Sequence, residues 1–348
     1  MRTDSSWKRC GRPRCGFSLV ELAVVLVIIS IVTALSLVGV QALRESARRM
    51  KCTTRLRELT LAVSQYESAN GHFPPAGNDP LRETATDEPV DLSSGYWRIF
   101  GFLGYGALGE TVKDINPRTL LLVREDRSRL LRFAPYRATV PALLCPSDSS
   151  LEGTNYRRCS GSKPWAAFIS NEGRPCVPDG AFGGLTREAN EILDGLSHTA
   201  AFSERRIARG DRVDGRANTW WTPLRPDFHR YDDRFFRGVA EGLAGRPRHE
   251  FSWVSGLSWH HRGKNFTLYD HIFPPNAPYS GIGKGIDHYL NVWSGKNVTV
   301  GAVGASSFHR GGVNVSRLDG SVAFFTDSID DAVWNDLATI NDAAPQTP

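Results

Sequence analysis

A single carboxylate interrupts the apolar run "GFSLVELAVV", residues 16–25. An ionised side chain within a bilayer helix is costly unless it meets a cation, so Glu21 is a candidate for a paired, functional contact. Other reactive residue types lie farther along. Nine histidines are present, and "SWHHRGKN" (258–265) and "SSFHRGGVN" (306–314) look alike. His261 and His271 repeat the ten-residue offset of His309 and Asp319. Adjacent imidazoles do not match the His-Glu-x-x-His pattern, in which one helical face presents both ligands. Hydrogen-bonded loop histidines are therefore expected, with no metal and no cofactor. Ser203, Glu204, His309 and Asp319 include the residue types of a hydrolase. No Gly-x-Ser-x-Gly frame surrounds that serine, so no catalytic residue is assigned and the chain is not expected to be an enzyme.

Six cysteines raise the question of disulfides. Cys10 and Cys15 precede the apolar run, and Cys52 follows it. Cys145, Cys159 and Cys176 lie within 32 residues of one another and allow one bridge and one thiol in an oxidising compartment, with the pairing left open.

The elements that carry these residues begin with the run Phe17–Val40, 24 residues containing one charge. As a helix it is about 36 Å long, enough to cross a hydrocarbon core of about 30 Å. It exceeds the apolar core of a secretory signal, about 7–15 residues, and leads directly into a second helical pattern. Arg2, Lys8, Arg9, Arg12 and Arg14 precede it, and Arg44, Arg48, Arg49, Lys51, Arg55 and Arg57 follow. With both flanks basic, loop charge does not set orientation. These residues read as anchors at a lipid surface. A net charge of +5 without a basic patch interleaved with aromatics gives no reason to expect nucleic acid as a partner.

Leu43, Ala47, Met50, Leu56, Leu59, Val63 and Tyr66 continue at helix-like intervals. Asn70-Gly71 and Pro74-Pro75 stop the helix. Residues 76–95 read as an acidic surface loop, and Leu120–Leu131 as a short helix. From Pro141 onward short apolar segments broken by Gly, Pro, Asn and Asp predict strands and long loops. Trp220, Trp221, Trp253, Trp259, Tyr269, Phe273 and Trp293 predict an aromatic core, with a sugar-binding face as the sharper alternative. Near the C-terminus Val313 and Val315 alternate before Asp319-Gly320, and Val322 and Phe324 after it. That pattern predicts a hairpin with a two-residue type I′ turn.

Two resemblances follow from these residues. A basic leader, then Gly16, Phe17 and, fifth from Phe17, Glu21, resembles the type IV prepilin and pseudopilin signal. The resemblance implies cleavage by a prepilin peptidase between Gly16 and Phe17, methylation of Phe17, and pairing of Glu21 with the N-terminal amine of a neighbouring pilin-like subunit. His309, nine intervening residues and Asp319-Gly320 resemble the H-x9-DG signature of a pilin-like family of planctomycete-type bacteria whose long C-terminal region is a domain of unknown function. "ESARRMKCTTRLRELTLAVSQYESANGHFPPAG" (45–77), "LLCPSD" (143–148), "NEILDGLSHTAAFSER" (190–205) and "FPPNAP" (273–278) resemble further markers of it. Arg310 departs from the proline frequent after the motif histidine.

The expected architecture is α+β and pilin-like. It has a leader at 1–16, a transmembrane half-helix at 17–40, an amphipathic half-helix at 41–70 and a β-rich extracytoplasmic domain at 71–348. The expected protein is a single-pass cytoplasmic-membrane subunit with its N-terminus inside, serving a type II secretion or type IV pilus-like system. An anchored glycan- or solute-binding module and an extracytoplasmic hydrolase are the alternatives.

Overall fold

The computed structural model describes residues 18–76, 94–113, 138–163, 165–166, 178–183, 186–209, 214, 216–217, 219–223, 251–252, 255–261, 263, 266–277, 281–284 and 299–341. The segment expected to be a helix at Leu120–Leu131 and nearly all of the acidic loop lie outside them. The chain forms two compact units, residues 1–47 and 48–348. Helix α1, Leu19–Asn70, runs through both. In the first unit its large side chains are exposed, from Leu19 at 84% to Val40 at 43%. It is long and apolar enough to cross a membrane.

In the second unit α1 buries one stripe: Cys52, Leu56, Leu59, Val63 and Tyr66. Steps of four and three residues keep these on a single helical face. Met50, expected on that face, is out of phase and exposed, as is Leu43 in the first unit. The helix ends where Gly71 takes φ +78, its N–H donating to Glu67 O at 2.7 Å. A positive φ there is the usual glycine termination.

The buried stripe packs against short helix α2, Tyr96–Ile99, and one side of a five-stranded sheet. Helix α3, Gly106–Lys113, follows α2. The sheet has strand order β10-β9-β3-β1-β6. Its strands are β1 (Tyr156–Cys159), β3 (Ala200–Glu204), β6 (Leu268–Tyr269), β9 (Gly312–Arg317) and β10 (Val322–Thr326). The β1/β6 pair is parallel and the other three are antiparallel. A second five-stranded sheet has order β2-β8-β7-β4-β5, formed by Trp165–Ala166, Thr299–Gly301, Gly281–Lys284, Thr219–Pro223 and Phe251–Ser252.

Alternation along β9 separates the two faces of the first sheet. Val313 and Val315 join Cys159, Tyr269 and Trp334 of helix α4, Asp331–Asp336. Asn314 and Ser316 point the other way, and the Ser316 hydroxyl accepts from Thr60 Oγ1 of α1 at 2.7 Å. Asp330 caps α4, Oδ1 accepting from Ala332 N and Val333 N at 2.9 and 3.3 Å. Trp334 stacks on His271 with ring centroids 3.7 Å apart.

The β9–β10 hairpin forms at the expected place with a different turn. Of the two residues Asp319 and Gly320, only Gly320 has positive φ, at +85. Gly320 N donates to Arg317 O at 2.9 Å, and Arg317 N to Ser321 O at 2.8 Å. That is a three-residue loop closed by a left-handed glycine, not the two-residue type I′ turn. Asp319 Oδ1 accepts from both Ser321 N and Ser321 Oγ, at 2.9 and 2.7 Å. This local bond holds Asp319 outside the left-handed region that a type I′ turn would require.

Candidate functional site

Glu21 lies in the first turn of α1, where its Oε2 accepts from Ser18 N at 2.9 Å. The carboxylate sits near the positive end of the helix dipole, a favourable place for an anion. It stands on a surface that is apolar on every side, with Leu19, Val20, Leu22, Val24 and Val25 all exposed. Gly16 and Phe17 lie outside the described residues.

The motif residues separate. Asp319 is exposed and, with Gly320, forms the hairpin tip, while His309 is buried before the other end of β9. The six-residue strand between them spans about 20 Å. The nine-residue spacing is thus one turn and one strand, and it joins two independent features. Gly311, at φ +80, carries the chain from His309 into the strand.

His309 Nε2 lies 3.2 Å from Glu204 Oε1, with both side chains almost wholly enclosed. Glu204 ends β3, which pairs with β9, so its other oxygen accepts from Asn314 N and Nδ2 at 2.9 and 3.1 Å. Of the hydrolase residue types, only Glu204 and His309 meet. The Ser203 hydroxyl donates instead to Asn314 O at 3.1 Å.

Two cysteines complete the cluster. Cys52 of α1 and Cys145 bring their sulfurs within 2.8 Å. The ligand atoms of Cys52, Cys145, Glu204 and His309 all lie within 4.8 Å of one another, and all four residues are buried. Cys145 is held by its N–H donating to Asn155 Oδ1 at 2.8 Å, while Ser147 N donates to its sulfur at 3.4 Å. The Cys145 thiol is lowered to about 6, first by its hydrogen bond with Cys52 and then, against the effect of burial, by one with His309. Cys52 is pushed well up, first by its hydrogen bond with Cys145 and then by burial. Burial raises the neighbouring Tyr156 hydroxyl, and the charges of Cys52, Cys145 and Glu204 add to that shift.

Of the cysteine pairings left open, Cys145 with Cys159 is not formed. Cys145 faces Cys52 across the α1 side of the sheet, whereas Cys159, at the end of β1, belongs to the opposite core layer. Cys159 donates to Ala338 O at 4.0 Å. Cys176 lies outside the described residues. One signal in the sequence would have found Cys52: it falls in phase with Leu56, Leu59, Val63 and Tyr66. Each member of the cluster also comes from a different one of the sequence blocks quoted above.

The histidines of "SWHHRGKN" are core residues. Burial lowers His261 to about 4, and burial, with the His261 charge, holds His260 well below the ordinary range. His261 Nδ1 lies 2.8 Å from Ser258 Oγ. His271 Nε2 lies 3.1 Å from the Tyr269 hydroxyl. Trp259, Tyr269 and Phe273 are buried core residues as well. The side chains of Trp220, Trp221, Trp253 and Trp293 lie outside the described residues.

Comparison with protein families gives two matches. Residues 11–37 match the prokaryotic N-terminal methylation motif, and residues 41–332 match the family described as a protein of unknown function, DUF1559. No curated protein and no solved structure matches the chain. The methylation motif covers Gly16, Phe17 and Glu21, and it fits a membrane-anchored subunit of pilin type. A prepilin-type motif joined to most of an α+β domain places this chain in the DUF1559 family.

Proposed function

We propose that the chain is a structural subunit of pilin or pseudopilin type rather than an enzyme. A prepilin peptidase cuts between Gly16 and Phe17 on the cytoplasmic side and methylates Phe17. Residues 17–40 then hold the protein in the cytoplasmic membrane, N-terminus inside and the large domain outside. Glu21 pairs with the terminal amine of a neighbouring pilin-like subunit. The filament so built belongs to a type II secretion or type IV pilus-like machine. One observation carries this reading: a helix whose apolar first part is exposed on every side and whose first-turn carboxylate falls within a methylation motif. In lipid, hydrophobicity gives helices little reason to associate, so a polar contact sets their register.

Sheared surface material, probed in the electron microscope with an antibody to residues 71–348, is expected to show labelled filaments or short fibres. Label confined to washed membranes, with none in the sheared fraction, contradicts assembly.

A further inference from the structure

We infer that Cys52, Cys145, Glu204 and His309 form a binding site for one zinc ion that fastens α1 to the sheet domain. Two thiols, one imidazole and one carboxylate are zinc's ligand types, in the four-coordinate number typical of structural sites. They converge from four separate segments: mid-α1, the loop before β1, the end of β3 and the turn before β9. The 3.2 Å separation of His309 Nε2 from Glu204 Oε1 matches the edge of a tetrahedron with metal bonds of about 2.0–2.1 Å. The sulfurs, 2.8 Å apart, move apart by about 1 Å when each binds the ion at about 2.3 Å.

Outer contacts aim these ligands. Asn314 holds one oxygen of Glu204 through both backbone and side chain and leaves the other directed at the cluster. Asn155 fixes the Cys145 backbone, and its own amide donates to Asp148 Oδ2 at 2.8 Å. Such partners are what orient metal ligands. The buried carboxylate accepts two hydrogen bonds from Asn314 and lies beside His309, and a divalent cation adds charge compensation for it together with the two thiols. A Cys52–Cys145 disulfide uses only two of the four groups and gives no role to the oriented Glu204–His309 pair. Zinc uses all four, and its binding releases the thiol protons to solvent.

The test uses the full chain, extracted in detergent under reducing conditions and titrated with Zn²⁺ against a competing chelator. Co²⁺ serves as a spectroscopic substitute. The expected result is one Zn²⁺ bound per chain, with Co²⁺ giving thiolate charge-transfer absorption and the intense visible bands of a tetrahedral site. Both are lost in Cys52→Ser and His309→Gln and kept in Cys159→Ala. Asn314→Ala, which removes only an outer contact, weakens zinc about 10–100-fold without change in far-ultraviolet circular dichroism. Failure of the reduced wild-type chain to bind zinc overturns the site. So does a Cys52–Cys145 disulfide found by peptide mapping of alkylated protein taken directly from membranes.

Discussion

Glu21→Gln is expected to abolish subunit assembly while leaving membrane insertion and folding intact. Glutamine keeps the size and hydrogen-bonding capacity of the side chain and removes only its charge. Removing a charge makes a bilayer helix more compatible with lipid, so insertion does not suffer. The described domain does not depend on Glu21 either, since its side chain is exposed and, among the described residues, accepts from Ser18 N. What is lost is attraction to the terminal amine of the next subunit. A polar contact between bilayer helices is worth about 0.6–2 kcal/mol, or roughly 3- to 30-fold in association. A filament repeats that loss at every subunit, so a modest pairwise defect becomes loss of the polymer. Crosslinking between subunits in intact cells reads the result. Glu21→Ala behaves alike, whereas wild-type crosslinking in both variants removes the assembly role from Glu21.

The second large effect is acid sensitivity of the unit formed by residues 48–348. His260 and His261 are buried, and both are held below the ordinary histidine range by burial first. The unfolded chain therefore binds more protons than the folded chain. The stability they contribute is complete above about pH 6.5 and falls as pH drops toward the folded values. For His261, lowered to about 4, the loss between pH 7 and pH 4 is about 3 kcal/mol. His260 adds to it in the same direction. Thermal unfolding of the full chain should show a steep fall in Tm below pH 6.5. In His261→Gln that slope is shallower, because one proton fewer is taken up on unfolding. An identical slope in variant and parent contradicts the assignment of acid lability to this pair.

The parts of the molecule legible in the sequence are those governed by local physics. The apolar run forces a long exposed helix because its backbone satisfies itself and its side chains suit lipid. Asn70-Gly71 ends that helix because glycine accepts positive φ without strain. Alternation of Val313 with Val315 and of Val322 with Phe324 marks the two strands, but their register sets Val313 opposite Phe325 and Val315 opposite Ala323, so Val322 and Phe324 lie on the other face. The turn between the strands differs from the type I′ pattern because Asp319 bonds to Ser321, which favours a three-residue loop. The buried cluster was not legible for a different reason. Its four members are separated by up to 257 positions, and each alone is an ordinary core residue. The pairing of β3 with β9, the docking of α1 on the sheet and the loop before β1, held to Asn155, bring them together. Met50 shows the same limit: helix-like spacing alone placed it on the core face, but the packed phase belongs to Cys52.

Maturation as a prepilin-type subunit leaves a chemical mark that the mass of the N-terminal peptide reads, in protein isolated from cell membranes. The expected peptide begins at Phe17 and carries one added methyl group. A peptide retaining Met1, or one beginning near Leu37 after cleavage on the outer side of the membrane, contradicts it.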